Sequence, residues 1–137
     1  MPDNLTRAQR RRNMSRIRAQ NTGPEITVRR LLHALGYRFR LHSPRLPGKP
    51  DIVLAKYKTV VLVHGCFWHQ HARCKRATVP ASNRFYWRAK LASNTARDAV
   101  NAEKLTDLGW KCVVVWECEL RNEAKVAKRL IGIGVNP

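Results

Sequence analysis

Eleven consecutive residues, His64-Gly65-Cys66-Phe67-Trp68-His69-Gln70-His71-Ala72-Arg73-Cys74, hold three of the chain's five histidines and two of its four cysteines. Cys66, His71 and Cys74 offer a metal two thiolates and an imidazole from one loop, and Cys118 can supply a fourth ligand from far along the chain. Three thiolates and one nitrogen suit a closed tetrahedral zinc site with no position left for water, so such an ion braces a loop rather than catalyses. His69 competes with His71 for the nitrogen position, and Cys112 competes with Cys118. Cys112 lies inside an apolar run, where a free thiol usually acts as a small hydrophobe, and that favours Cys118. The histidines left over can move protons near neutral pH, because an unperturbed imidazole titrates at about 6.5. Phe67 and Trp68 sit between the ligands, where a rigid loop would hold them. They either pack locally or serve as a wedge between base steps of a duplex.

The acids are as informative as the metal ligands. Lys and Arg number 27 against 9 Asp and Glu, a formal charge of +18. A chain this basic meets a polyanion, because each phosphate it neutralises releases condensed counterions. Before Asp98 the acids are Asp3, Glu25 and Asp51 alone. Glu25 and Asp51 either cap helices and pair with arginines, or hold a divalent cation against a phosphate, since Mg²⁺ prefers carboxylate oxygens.

The elements that must position these groups are legible in outline. At 137 residues the chain forms one domain with a hydrophobic core. Residues 5–20 carry six arginines and predict a basic helical arm, with Met14 and Ile17 as its large apolar side chains. Asn21-Thr22-Gly23-Pro24 starts a helix that runs to about Leu35, with Val28, Leu31, Leu32 and Leu35 on the buried face and Gly36 as its stop. Glu25 falls about 20° from Leu32 around that wheel, at the edge of the buried stripe, whereas His33 points to the surface. Tyr37–His42 alternates as a strand, with Tyr37, Phe39 and Leu41 on one side. A proline-rich loop then leads to a strand beginning at Pro50-Asp51, and a short link to Thr59–Val63 predicts an antiparallel pair. A long helix spans about Asn83–Leu108, a strand covers Lys111–Trp116, and residues 119–132 form a terminal helix. The order is α-α-β-β-β-α-β-α, an α/β class mixed sheet flanked by helices. The cysteines read as reduced thiols or metal ligands, because Met1 to Gln20 has no apolar signal region and no run is long enough to span a bilayer. The cytosol is the expected compartment.

Pro50-Asp51, the run His64-Gly65-Cys66-Phe67-Trp68-His69, Asn13-Met14 and Trp116-Glu117-Cys118 together resemble the very-short-patch repair endonucleases, from about Arg7 to about Arg121. The resemblance implies a restriction-endonuclease-like fold over residues 21–137 behind an N-terminal arm, residues 1–20. It implies a bacterial, nucleoid-associated, monomeric enzyme that nicks double-stranded DNA 5′ of the thymine in T·G mismatches left by 5-methylcytosine deamination, with mismatch-repair proteins as further partners. Carried over residue by residue, Asp51 matches a Mg²⁺ ligand, His69 the group that activates water, His64 a second active-site histidine and Glu25 a supporting glutamate. Cys66, His71, Cys74 and Cys118 match the zinc ligands; Met14, Phe67 and Trp68 match side chains inserted into the duplex. Trp87, Asn94 and Asp98 share a family pattern to which no role is attached. Two departures stand out. His64 occupies the place where the usual nuclease motif has lysine, a deviation the family itself shares, and two residues separate His71 from Cys74 where the family mostly has one. The competing reading is a non-catalytic, zinc-stabilised DNA-binding module, with an RNA-associated basic protein as a third.

Overall fold

The computed structural model describes residues 21–135. The basic arm, including Met14, lies outside the described residues. One four-stranded sheet forms the middle layer, ordered β1 (Arg40–Leu41), β2 (Ile52–Leu54), β3 (Thr59–His64) and β4 (Lys111–Trp116). Neighbours β1/β2 and β2/β3 are antiparallel, as the short link between the latter predicts. Strands β3 and β4 are parallel over six residue pairs, from Thr59 opposite Lys111 to His64 opposite Trp116. A parallel pair needs a crossover, and helix α2 (Arg84–Asp107) lies within it.

Strand alternation divides the core in two. Ile52, Leu54, Val61 and Val115 pack with Val28 and Leu32 of α1 (Gly23–Ala34) and with Val126, Leu130 and Ile133 of α3 (Glu123–Val135). Val53 and Val60 point the other way and meet Leu105 of α2. The result is a mixed sheet between helical layers. Two helices cover one face and the long one covers the other.

Helix α1 begins as its sequence predicts. The Thr22 side-chain oxygen accepts the Glu25 amide at 3.3 Å, Pro24 sits in the first turn, and Gly36 adopts φ +87° just past the end. Val28 and Leu32 are fully buried, but Leu35, expected on the same stripe, is 37% exposed at the helix cap. The Tyr37–His42 strand is also shorter than its alternation predicts, with only Arg40 and Leu41 in the ladder. The Tyr37 amide instead closes the helix end on the Leu32 carbonyl at 3.0 Å, and its hydroxyl donates to the Leu130 carbonyl at 2.6 Å. Tyr37 and Phe39 still pack on the core, whereas Leu41 is 39% exposed. At the other end, the expected helix over residues 119–132 begins later. Glu117–Arg121 is a 3-10 turn, and α3 starts after Asn122, whose side-chain oxygen accepts the Lys125 amide at 3.2 Å.

The start of β2, the ends of β3 and β4 and the first turn of α1 all lie at one end of the sheet. The chemistry-bearing residues converge there.

Candidate active site and metal centre

Cys66, His71, Cys74 and Cys118 bring one donor atom each to within 4.8 Å of one another. The register makes this possible. His64 pairs with Trp116, so the chain leaving β3 reaches Cys66 beside the chain leaving β4 towards Cys118. His71 Nδ1 lies 3.8 Å from Cys66 Sγ and 3.4 Å from Cys118 Sγ. A tetrahedral zinc with ordinary bond lengths requires about 3.5 Å between a sulfur and a nitrogen ligand, so the donor set fits that ion. His71 and Cys118 are thus the members of this cluster, while Cys112 stays in β4 against the second core. The second intervening residue before Cys74 is absorbed by a turn, with Arg73 at φ +59°. Burial pushes the Cys66 thiol up to about 12, so a thiolate there requires a cation beside it.

Asp51 ends the loop before β2. Its Oδ2 accepts the Val63 amide of β3 at 2.8 Å, which ties the carboxylate across the sheet. Burial raises the Asp51 carboxyl above its ordinary range; the Val63 amide opposes this, and the charge of Glu25 adds to it. A cation would reverse that balance. Glu25 is 2% exposed, as its position on the wheel predicts. Its Oε1 accepts from Arg29 at 2.5 Å and lies 2.5 Å from His42 Nε2, while Oε2 accepts the Asn21 amide at 3.0 Å. Glu25, His42 and Asp51 form a second group with donor atoms within 4.8 Å. His42 was not singled out by its sequence. Its φ of +47° turns the chain out of β1 towards Glu25, and no sequence spacing predicts that.

His64 and His69 stack with ring centroids 3.9 Å apart and planes 3° from parallel. His69 Nδ1 lies 2.5 Å from Asp98 Oδ2 on α2. A carboxylate on Nδ1 selects the tautomer that carries hydrogen there and leaves Nε2 with its lone pair. Burial, and next the charge of His69, holds His64 down to about 4, so its ring is neutral near pH 7. Its Nδ1 is buried with no hydrogen-bond partner among the described residues. Trp116 joins the two centres, stacking on His71 at 4.2 Å and meeting His64 edge-on at 5.1 Å.

Phe67 and Trp68 turn together onto α2. Their rings lie 5.4 and 6.0 Å from Trp87, in edge-to-face arrangements, and Asn94 donates to the Trp68 carbonyl at 3.3 Å. Both rings therefore pack locally, and both also line a cleft of about 770 Å³ with Glu25, Asp51, His69 and Asp98. An adjoining hollow of about 300 Å³ shares Asp51, His69 and Asp98 and adds His64. All the expected site residues within the described range meet at this end of the sheet. The arrangement offers a carboxylate for a hard cation, an imidazole with one free nitrogen and an aromatic wall.

Residues 2–76 match a family described as DNA mismatch endonuclease Vsr. The chain is 45% identical over 130 residues to the type II nicking enzyme V.NmeAIP of Neisseria meningitidis, covering 95% of this chain and 92% of that one. It is 46% identical over 133 residues to the type II nicking enzyme V.XorIIP of Xanthomonas oryzae pv. oryzae, covering 97% of each. With the DNA mismatch endonuclease Vsr of Escherichia coli it shares 39% identity over 126 residues, covering 92% of this chain and 80% of that one.

Proposed function

The chain belongs to the DNA mismatch endonuclease Vsr family, and on that basis we infer that it nicks one strand of duplex DNA 5′ of the thymine in a T·G mismatch. The observation that carries this reading is the shared cleft, where Asp51, His69 with its Asp98 partner, and the Phe67–Trp68 wall face one space. A binding module alone gives no reason to bury Glu25 beside Asp51 or to orient an imidazole with a carboxylate.

In this reading His69 Nε2 takes the proton of the attacking water, and Asp98 stabilises the imidazolium that forms. Neutral His64, stacked on His69, holds that ring in place and faces the phosphate. Glu25 keeps His42 beside Asp51 and acts as a positioning residue. Asp51 would hold Mg²⁺, since Oδ2 is taken by Val63 and the other oxygen suits a hard cation that keeps most of its waters. Bound there, the ion would supply positive charge to the phosphoryl oxygens and to the departing 3′ oxygen. Zinc on Cys66, His71, Cys74 and Cys118 would staple the loop that carries Phe67, Trp68 and His69. Phe67, Trp68 and, from the N-terminal arm, Met14 enter the duplex beside the mismatch, where a wobble pair separates more easily than a Watson–Crick pair.

The setting follows from the same reading: a monomer in the bacterial cytoplasm, on nucleoid DNA, working beside mismatch-repair proteins. No described helix is long and apolar enough to cross a membrane. The test is cleavage mapping on duplexes that carry one T·G pair within randomised flanks. The expected product is a single nick on the 5′ side of the mismatched thymine. Double-strand cuts, or equal cutting of fully paired duplex, would refute it.

A further inference from the structure

The hollow that holds Asp51, His64, His69 and Asp98 has a charge problem. Two of its lining groups are carboxylates, and without a cation on Asp51 a phosphodiester entering it is repelled by both. Among the described residues Lys49 is the one Lys or Arg that lines this hollow. Lys90 and Arg97 instead line the larger aromatic cleft, where Arg97 already donates to Asn94 at 2.8 Å. No carboxylate pairs with Lys49 among the described residues.

The loop is built to hold this lysine where it is. Lys49 has φ +46°, a left-handed conformation uncommon for a residue with a side chain. Its amide closes a turn on the Leu46 carbonyl at 3.1 Å, and Leu46 packs on the second core. The preceding Gly48 has φ +74°, and a Cβ there would lie 2.7 Å from Asn101 Nδ2 on α2, so the loop rests directly on the helix that carries Asp98. The following Pro50 is buried and leads into Asp51. The backbone of Lys49 is thus fixed on both sides, two positions before Asp51.

We propose that Lys49 binds the scissile phosphodiester directly, as the fixed cation on the His64 side of the site. The proposal rests on the endonuclease reading and adds a substrate contact to it. The Lys49 side chain, exposed at the rim of the hollow, can offer the non-bridging phosphate oxygens charge-assisted hydrogen bonds, which strengthen as negative charge builds up there during hydrolysis. A lysine elsewhere on the surface would act only through general attraction to the duplex.

The experiment compares wild type, Lys49→Ala and Lys49→Arg on two T·G duplexes, one natural and one with a neutral methylphosphonate at the scissile linkage. Single-turnover nicking of the natural duplex at saturating enzyme is expected to fall at least about tenfold in Lys49→Ala, less than the roughly 10²–10³ lost with a buried oxyanion-hole donor because this side chain is exposed. Lys49→Arg should recover most of that rate. In EDTA, wild type should bind the methylphosphonate duplex several-fold more weakly than the natural one, and Lys49→Ala should bind the two about equally, because the charge it would meet is already gone. Wild-type nicking by Lys49→Ala, or an equal loss of affinity for both duplexes, would overturn the proposal. Melting temperatures guard against misfolding, and Lys49→Gln stands in if the alanine variant melts early. Failure of wild type itself to nick the natural duplex removes the endonuclease reading and Lys49 with it.

Discussion

At the scale of single residues, the proposed chemistry makes His69 depend on Asp98. The 2.5 Å contact at Nδ1 fixes both the ring's orientation and its tautomer. Asp98→Asn keeps the shape but presents an amide that can stabilise the wrong tautomer. Single-turnover nicking should fall by about 10²–10⁴, the typical span of general acid–base catalysis, while affinity for a T·G duplex stays near wild type. A parallel loss of affinity would mean that Asp98 is merely structural. The sequence made Asp51, His64 and His69 visible through rarity and clustering, but Asp98 carried no such signal. Its partner is 29 residues away, and only the crossover of α2 brings them together. His42 escaped for the same reason, since its approach to Glu25 depends on one left-handed backbone angle.

At the scale of elements, the metal loop has to be rigid if the chemistry beside it is to be exact. It departs from β3, crosses to Cys118 after β4, and carries Phe67, Trp68 and His69 between Cys66 and His71 of the cluster that could hold a metal. Trp116 packs against rings from both centres, so slack in one reaches the other. Cys66→Ser should lose the ion and melt earlier, because binding of a structural metal is folding free energy. Inductively coupled plasma analysis and a thermal melt check this; full zinc content with an unchanged melting temperature would contradict it. Helix α1 and the β2–β3 hairpin were legible because their signals are local: a cap, a stop glycine and alternating apolar residues. Strand β1 and the start of α3 were misread. Tyr37 answers to a carbonyl on α3, and the 3-10 turn at Glu117–Arg121 takes its place from the loop that delivers Cys118.

At the scale of the whole molecule, the charge of +18 supplies attraction to any duplex, and in the proposed function the aromatic wall supplies the choice of site. Phe67→Ala with Trp68→Ala should therefore cut the preference for T·G over paired DNA more than it cuts affinity for DNA in general. Competition binding at fixed salt measures both, and a proportional fall in the two would show that the rings only pack. The layered α/β architecture with its mixed sheet was readable from element order, but the register that sets His64 opposite Trp116 was not, since periodicity fixes no register between distant strands. That pairing sets Cys66 beside Cys118 and opens the cleft at one end of the sheet. The central claim is that Asp51 and His69 share one hydrolytic site. Its most direct test is single-turnover nicking of a duplex with one T·G pair, by wild type and Asp51→Asn, with Mg²⁺ and with EDTA. A nick made only by wild type and only with the metal is the predicted result; cutting by Asp51→Asn at the wild-type rate, or cutting that EDTA leaves untouched, would contradict it.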